Sequence, residues 1–153
     1  GRENGSIRDR RTIGETLADL GMTAKNSEIR TEYARERLSR TIVKPYLDSQ
    51  GTLPIISLEP NAEQALQEAL RQTDSGIYLA LSPTLAQRLM HQINQAVEMA
   101  VNTDGQPVVL TSPMVRPHLA QLVMRFLPSV PVISQAEIPS DIRLASVGSA
   151  GVE

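Results

Sequence analysis

The stretch PVVLTSPMVRPHLAQLVMRFLPSVPVIS, Pro107 to Ser134, decides the fold. Val108-Val109-Leu110-Thr111-Ser112 is a β-branched, apolar run closed by Ser-Pro, and it reads as a buried strand. A helical pattern runs on through Phe126, and Val130-Pro131-Val132-Ile133-Ser134 is a second apolar run. Strand, helix and strand in that order form a crossover unit, which joins parallel neighbours.

Working outward, the same alternation recurs upstream. Leu53–Leu58 (LPIISL) reads as a buried strand, and Glu59-Pro60 opens a helix with Ala62, Ala65, Leu66, Ala69 and Leu70 on its apolar side. Asp74-Ser75-Gly76 is a turn, and Ile77–Leu81 a short strand. Ser82-Pro83 starts the longest helix, with Leu85, Leu89, Met90, Ile93, Val97, Ala100 and Val101 at spacings of three and four, ended by Asp104-Gly105. Downstream, Ile142–Val147 reads as a last strand, and Gly148–Glu153 as a small, polar tail expected to fray.

The N-terminal third differs. Ser6-Ile7-Arg8-Asp9 has capping-box spacing, and Ile13, Leu17 and Leu20 predict a helix over 6–20 that stops at Gly21. Asn26-Ser27 caps a second helix carrying Ile29, Tyr33, Ala34, Leu38 and Ile42 on one face, which Pro45 ends or kinks. The expected architecture is an α+β/α/β arrangement. A helical lobe over 1–50 precedes an α/β lobe over 51–153 with a small mixed, partly parallel sheet and a flexible C-terminal tail.

Composition narrows the function. The chain has 153 residues, enough to bury a core, and no cysteine, which excludes disulfides, thiol catalysis and Cys-containing zinc sites. Its two histidines, His91 and His118, are too few for a His-rich metal site. Tyr33, Tyr46, Tyr78 and Phe126 are the whole aromatic set, too sparse for base-stacking platforms. Net charge is −2, with residues 1–44 at +3 and the rest at −5, a mild asymmetry that suits a partner-facing surface better than a DNA footprint. No apolar run approaches the roughly 20 residues that span a bilayer, so the chain as given reads as soluble. Its start, GRENGS without a methionine, reads as a piece of something longer.

Ser112 is the first candidate for chemistry. A serine after a strand and before a helix can be a nucleophile, given a base in reach; His118, six residues on, is the near one and His91 the far one. That reading gives a small α/β hydrolase-like or phosphate-binding enzyme centred on Ser112. Against it, the G-x-S-x-G elbow is absent, and Ser112-Pro113 repeats the Ser82-Pro83 helix start. The favoured expectation is that both serines cap helices. Pro117 lies too deep for a helix that begins at Pro113, so a loose turn with a restart near Arg116-Pro117 is the alternative local geometry. No glycine-rich phosphate loop is present. Arg35, Arg37, Arg40 and Lys44 form a basic helical flank interleaved with Glu32 and Glu36, read as solvated or protein-facing before nucleic-acid binding. Glu63 and Glu68 read as solvated carboxylates. Both histidines read as structural.

Five segments taken together carry a family resemblance: SIRDRRTIGETLADL (6–20), TEYARERLSRTIVKPYL (31–47), LPIISLEPNAEQAL (53–66), RQTDSGIYLALSP (71–83) and PVVLTSPMVRPHLAQLVMRFLPSVPVISQAEIP (107–139). In this order they resemble the third and fourth cytoplasmic subdomains of the FlhA/LcrD/InvA family of type III export-gate proteins. RFLPSVPVISQAEIP with the closing SVG (146–148) looks more flagellar than virulence-type. The resemblance implies a non-enzymatic docking part of a longer protein, anchored through a membrane domain missing here and forming a ring with copies of itself. It also implies export chaperones, flagellar substrates and ATPase-complex proteins as partners, with no cofactor, no metal and no nucleic acid. No residue is assigned as catalytic, cofactor-binding or metal-ligating, and the partner-binding residues stay unassigned. Arg11, Gly14 and Arg30 stand where the family pattern leads one to expect apolar residues, and Gly21-Met22-Thr23 replaces an aromatic-Ala-Pro type sequence.

Overall fold

A computed structural model describes residues 27–100 and 103–153. In chain order its elements are α1 (Ser27–Arg37), α2 (Ser39–Val43), a 3-10 turn (Lys44–Tyr46), β1 (Thr52–Leu58), α3 (Pro60–Glu68), β2 (Leu70–Thr73), β3 (Gly76–Leu79), α4 (Pro83–Met99), β4 (Val108–Thr111), α5 (Arg116–Phe126), β5 (Val132–Ser134), a 3-10 turn (Gln135–Glu137) and β6 (Arg143–Ala150). The helix expected over 6–20, the departures at Arg11 and Gly14, and Val101 lie outside the described residues.

Four strands form one sheet in the order β5-β4-β1-β6, every neighbouring pair parallel. The antiparallel part is a separate hairpin, β2 with β3. From β1 the chain steps to β4 and then β5, with α3, α4 and α5 packed over one face. It then reverses direction to reach β6 on the far side of β1. A right-handed crossover in the reverse direction must pass over the opposite face. The connection does so, placing Ile138 and Ile142 there.

The period of two in the strands divides the core accordingly. Ile56, Val109 and Val132 face the helices and meet Leu66 of α3, Leu89 and Ile93 of α4, and Leu119 and Val123 of α5. Leu53, Ile55, Val108 and Ile133 face the other way and meet Val43, Tyr46 and Leu47. Each fully buried Leu or Ile contributes about 1.5–3 kcal/mol relative to exposure, so this double-faced burial is what holds the sheet. The end of the N-terminal helical segment thus shares a core with the sheet.

Several expectations change. The apolar face assigned to the second helix is buried only towards its end: Ile29 is 54% and Leu38 48% exposed, while Ile42 packs against the core. The helix is interrupted at Leu38 before α2 resumes, and Val43 carries the burial instead. Arg30 is exposed, so a charge there has no desolvation cost. Leu70, read as helical, opens β2, because the turn before Gly76 (φ 130°) folds Leu70–Thr73 back against β3.

The frayed tail is also corrected. β6 continues to Ala150, pairing Gly148, Ser149 and Ala150 with Ile56, Ser57 and Leu58, and Ala150 and Val152 are buried. Small residues at the chain end look like fraying in a linear reading. Here smallness lets α4 approach, since a Cβ on Gly148 would lie 3.1 Å from the Ala96 methyl.

Candidate partner-docking surface

Thr111 and Ser112 stand at the carboxyl end of β4, where α3 begins over the neighbouring strand. The Thr111 hydroxyl donates to Glu63 Oε1 at 2.7 Å and the Ser112 hydroxyl to Glu63 Oε2 at 2.9 Å. Ser112 is therefore not a side-chain cap. Its carbonyl accepts from the N–H groups of Val115 and Arg116, at 3.2 and 3.0 Å, and the helix proper starts at Arg116 with Pro117 in its first turn. Pro117 delays the helix, and the hydroxyl takes a carboxylate acceptor, which makes a stronger hydrogen bond than a neutral one. Ser82 does cap as expected, accepting from the Leu85 N–H at 3.2 Å. Glu63, read as merely solvated, is half-buried and engaged on both oxygens.

His118 is buried on the first turn of α5, and its Nε2 lies 2.9 Å from Glu28 Oε2. Serine and histidine are thus each held by a different carboxylate, and the nucleophile–base pair needed for the hydrolase-like reading is not assembled. His91 is exposed on α4. Two members of the basic flank are engaged: Arg35 pairs with Glu137, and Arg40 reaches both oxygens of Asp141, at 3.2 and 3.0 Å. Among the described residues no cluster of three or more His, Cys, Asp or Glu is placed to hold a metal ion.

The sequence reading missed a line of polar pairs, two of them between opposite charges. Glu28, Glu32 and Arg35 recur at i, i+4 and i+7 and so share one side of α1. They meet His118, Arg116 and Glu137 respectively. Arg116 Nε lies 2.7 Å from Glu32 Oε1, and its Nη1 donates to the Val132 carbonyl at 3.3 Å. Burial pushes the Glu32 carboxyl above its usual range, against the pull of Arg116. Glu137 is fully buried and accepts from the Ser134 N–H at 2.8 Å. The Ser-x-x-Glu spacing of 134–137 was readable as a capping box; its ion pair with Arg35 was not.

Two clefts flank these pairs. One cleft of about 340 Å³ lies between α1, the hairpin and the start of α5, lined by Ile29, Ile77, Met114 and Pro117. A second, of about 420 Å³, lies between the hairpin, α4 and α5, lined by Tyr78, Leu81, Leu122 and Phe126 with Gln87 and Arg125 among its polar lining. His118 lines both. Tyr78 and Phe126, two of the chain's four aromatics, are 51% and 54% exposed, and Met114 is 67% exposed. Exposed aromatic and methionine side chains rimmed by polar groups are the composition of a protein-contact surface.

A model of the FHIPEP family matches residues 2–143. The chain is 31% identical over 147 residues to flagellar biosynthesis protein FlhA of Bacillus subtilis, covering 96% of itself and 22% of that protein. It is 29% identical over 146 residues to low calcium response locus protein D of Yersinia pestis, covering 95% of itself and 21% of the relative. The chain therefore spans about a fifth of the length of these curated relatives. Among solved structures, the nonameric SctV-C of EPEC, determined by cryo-EM, superposes with a TM-score of 0.76 at 33% identity, over 94% of this chain and 43% of that one. A complex of the Chlamydia pneumoniae CdsV and CdsO proteins gives 0.77 at 30% identity, over 94% and 42%.

Proposed function

The chain belongs to the FHIPEP family, and from that premise we propose that it is the distal cytoplasmic docking part of a type III protein export gate, of the kind that serves flagellar assembly. The family match, running through nearly the whole chain, carries the reading. On it the protein works by presenting surfaces rather than by chemistry, which the separate engagement of Ser112 and His118 supports. Residues 1–50 form part of a helical subdomain and 51–153 an α/β subdomain. Copies of the full-length protein assemble into a ring, as the nonameric assembly of a similar chain supports. The partners are export chaperones, flagellar substrates and components of the export ATPase complex. The solved complex of CdsV with CdsO supports association of the longer protein with a partner protein. The place of action is the cytoplasmic face of the bacterial inner membrane, reached through a membrane domain elsewhere in the longer protein. No helix among the described residues is long and apolar enough to cross a membrane.

The likeness to low calcium response locus protein D favours a second reading, an export gate of a virulence-type secretion system. One experiment separates the two. The chain is placed in a full-length export gate and tested in strains lacking either the flagellar or the virulence protein. Recovery of motility with ring formation and chaperone capture is expected. Recovery of virulence secretion alone selects the second reading, and a full-length protein that forms no ring and captures no export component overturns both.

A further inference from the structure

We infer that α1 is a releasable strap, latched by charge to the α/β fold and hinged at Leu38, and that it forms a movable wall of the cleft beneath it. This goes beyond the export reading and does not depend on it. Helices are ordinarily held by an apolar face. Along Ser27–Arg37 none of the residues whose burial is described is buried, and Ile29 is exposed. Among the described residues the side-chain contacts that attach α1 are polar: Glu32 to Arg116 and Arg35 to Glu137 are ion pairs, and Glu28 Oε2 lies 2.9 Å from His118 Nε2. Their partners sit on the first turn of α5, in the helical layer, and in the 3-10 turn just beyond β5.

The next element behaves differently. After the interruption at Leu38, α2 ends on Val43, which is 1% exposed in the core beneath the sheet. The anchor is therefore apolar and the strap is polar, with the break between them. The latch is also finely balanced. Burial of Glu32 opposes its ionised form, so part of the attraction to Arg116 is offset by desolvation. When α1 lifts, Ile29 leaves the wall of the cleft and Ile77, Met114 and Pro117 remain.

Amide hydrogen exchange on the whole chain tests this. In the unmodified protein the amides of 27–37 are expected to exchange at least tenfold faster than those of β1 and β4. Glu32→Gln, which keeps the shape and removes the charge, is expected to accelerate 27–37 at least tenfold further and leave β1 and β4 unchanged. Glu28→Gln, on the more exposed pair, is expected to do the same more weakly, by about threefold. Reciprocal exchange, Glu32→Arg with Arg116→Glu, is expected to restore slow exchange in 27–37. The strap is overturned if 27–37 and the sheet exchange at one common rate in the unmodified protein. It is equally overturned if both neutral variants leave 27–37 unchanged, or if they accelerate helix and sheet together.

Discussion

At the scale of single residues, polar side chains here are matched to partners distant in sequence. Ser112 and Thr111 share Glu63, some fifty positions earlier, and the pairing has a consequence for stability. Ser112→Ala removes one hydrogen bond to a carboxylate and is expected to cost about 1–2 kcal/mol in urea unfolding. Glu63→Ala is expected to cost more, about 2–3 kcal/mol, because it orphans the Thr111 hydroxyl, which is 1% exposed. The order of the two effects is the check; a larger loss at Ser112 contradicts the geometry. Asp141 gives a pH test. Hydrogen bonds from the Arg40 guanidinium, then from its own backbone N–H, hold its carboxyl below the ordinary value of 3.8. A depressed carboxylate stabilises the fold above that value and loses its effect as pH falls through the folded one. Asp141→Asn is therefore expected to lower stability slightly near neutrality. The difference from the unmodified protein should vanish as pH drops well below 3.8. Because the pair is exposed, added salt should shrink it too.

At the scale of elements, much was legible in the chain. The Ser82-Pro83 start of α4 follows from capping chemistry alone, and Ser82→Ala is expected to cost about 1 kcal/mol in thermal unfolding. β1, β4 and β5 were readable because buried strands of a parallel sheet are continuous apolar runs. The hairpin strand Leu70–Thr73 was not. Its burial is slight, and only the partner strand makes it a strand. The last strand was under-read for a related reason: Gly148, Ser149 and Ala150 carry no β-branched signal, yet they pair with β1, and Gly148 lies against Ala96 of α4. Deleting Gly148–Glu153 is expected to do far more than trim a frayed end. It removes three pairings with β1 and the burial of Ala150 and Val152, and the expected result is a loss of more than 3 kcal/mol or of cooperative unfolding altogether. An unchanged melting transition after this deletion would falsify the placement of β6.

At the scale of the whole molecule, the buried core and the exposed aromatic surface are made of different side chains. The core is aliphatic, while Tyr78 and Phe126 are half-exposed beside the clefts. Substituting both with Asp is expected to leave unfolding within about 0.5 kcal/mol per site, as exposed positions usually do. The same change is expected to weaken capture of an export partner by the full-length protein at least tenfold, since aromatic anchors dominate protein interfaces. Unaltered capture would place the docking face elsewhere on the molecule.

The sequence by itself determined the succession of strands and helices, the aliphatic core, the absence of cysteine chemistry and the family. Each is written in local spacing or composition, which survives without knowledge of what lies alongside. Tertiary structure alone decided that Ser112 meets Glu63, that His118 meets Glu28, and that α1 is held by charge while α2 is held by burial. A hydrogen bond or ion pair between residues fifty to a hundred positions apart depends on which strands the sheet makes neighbours and which face a crossover covers. No local spacing encodes that.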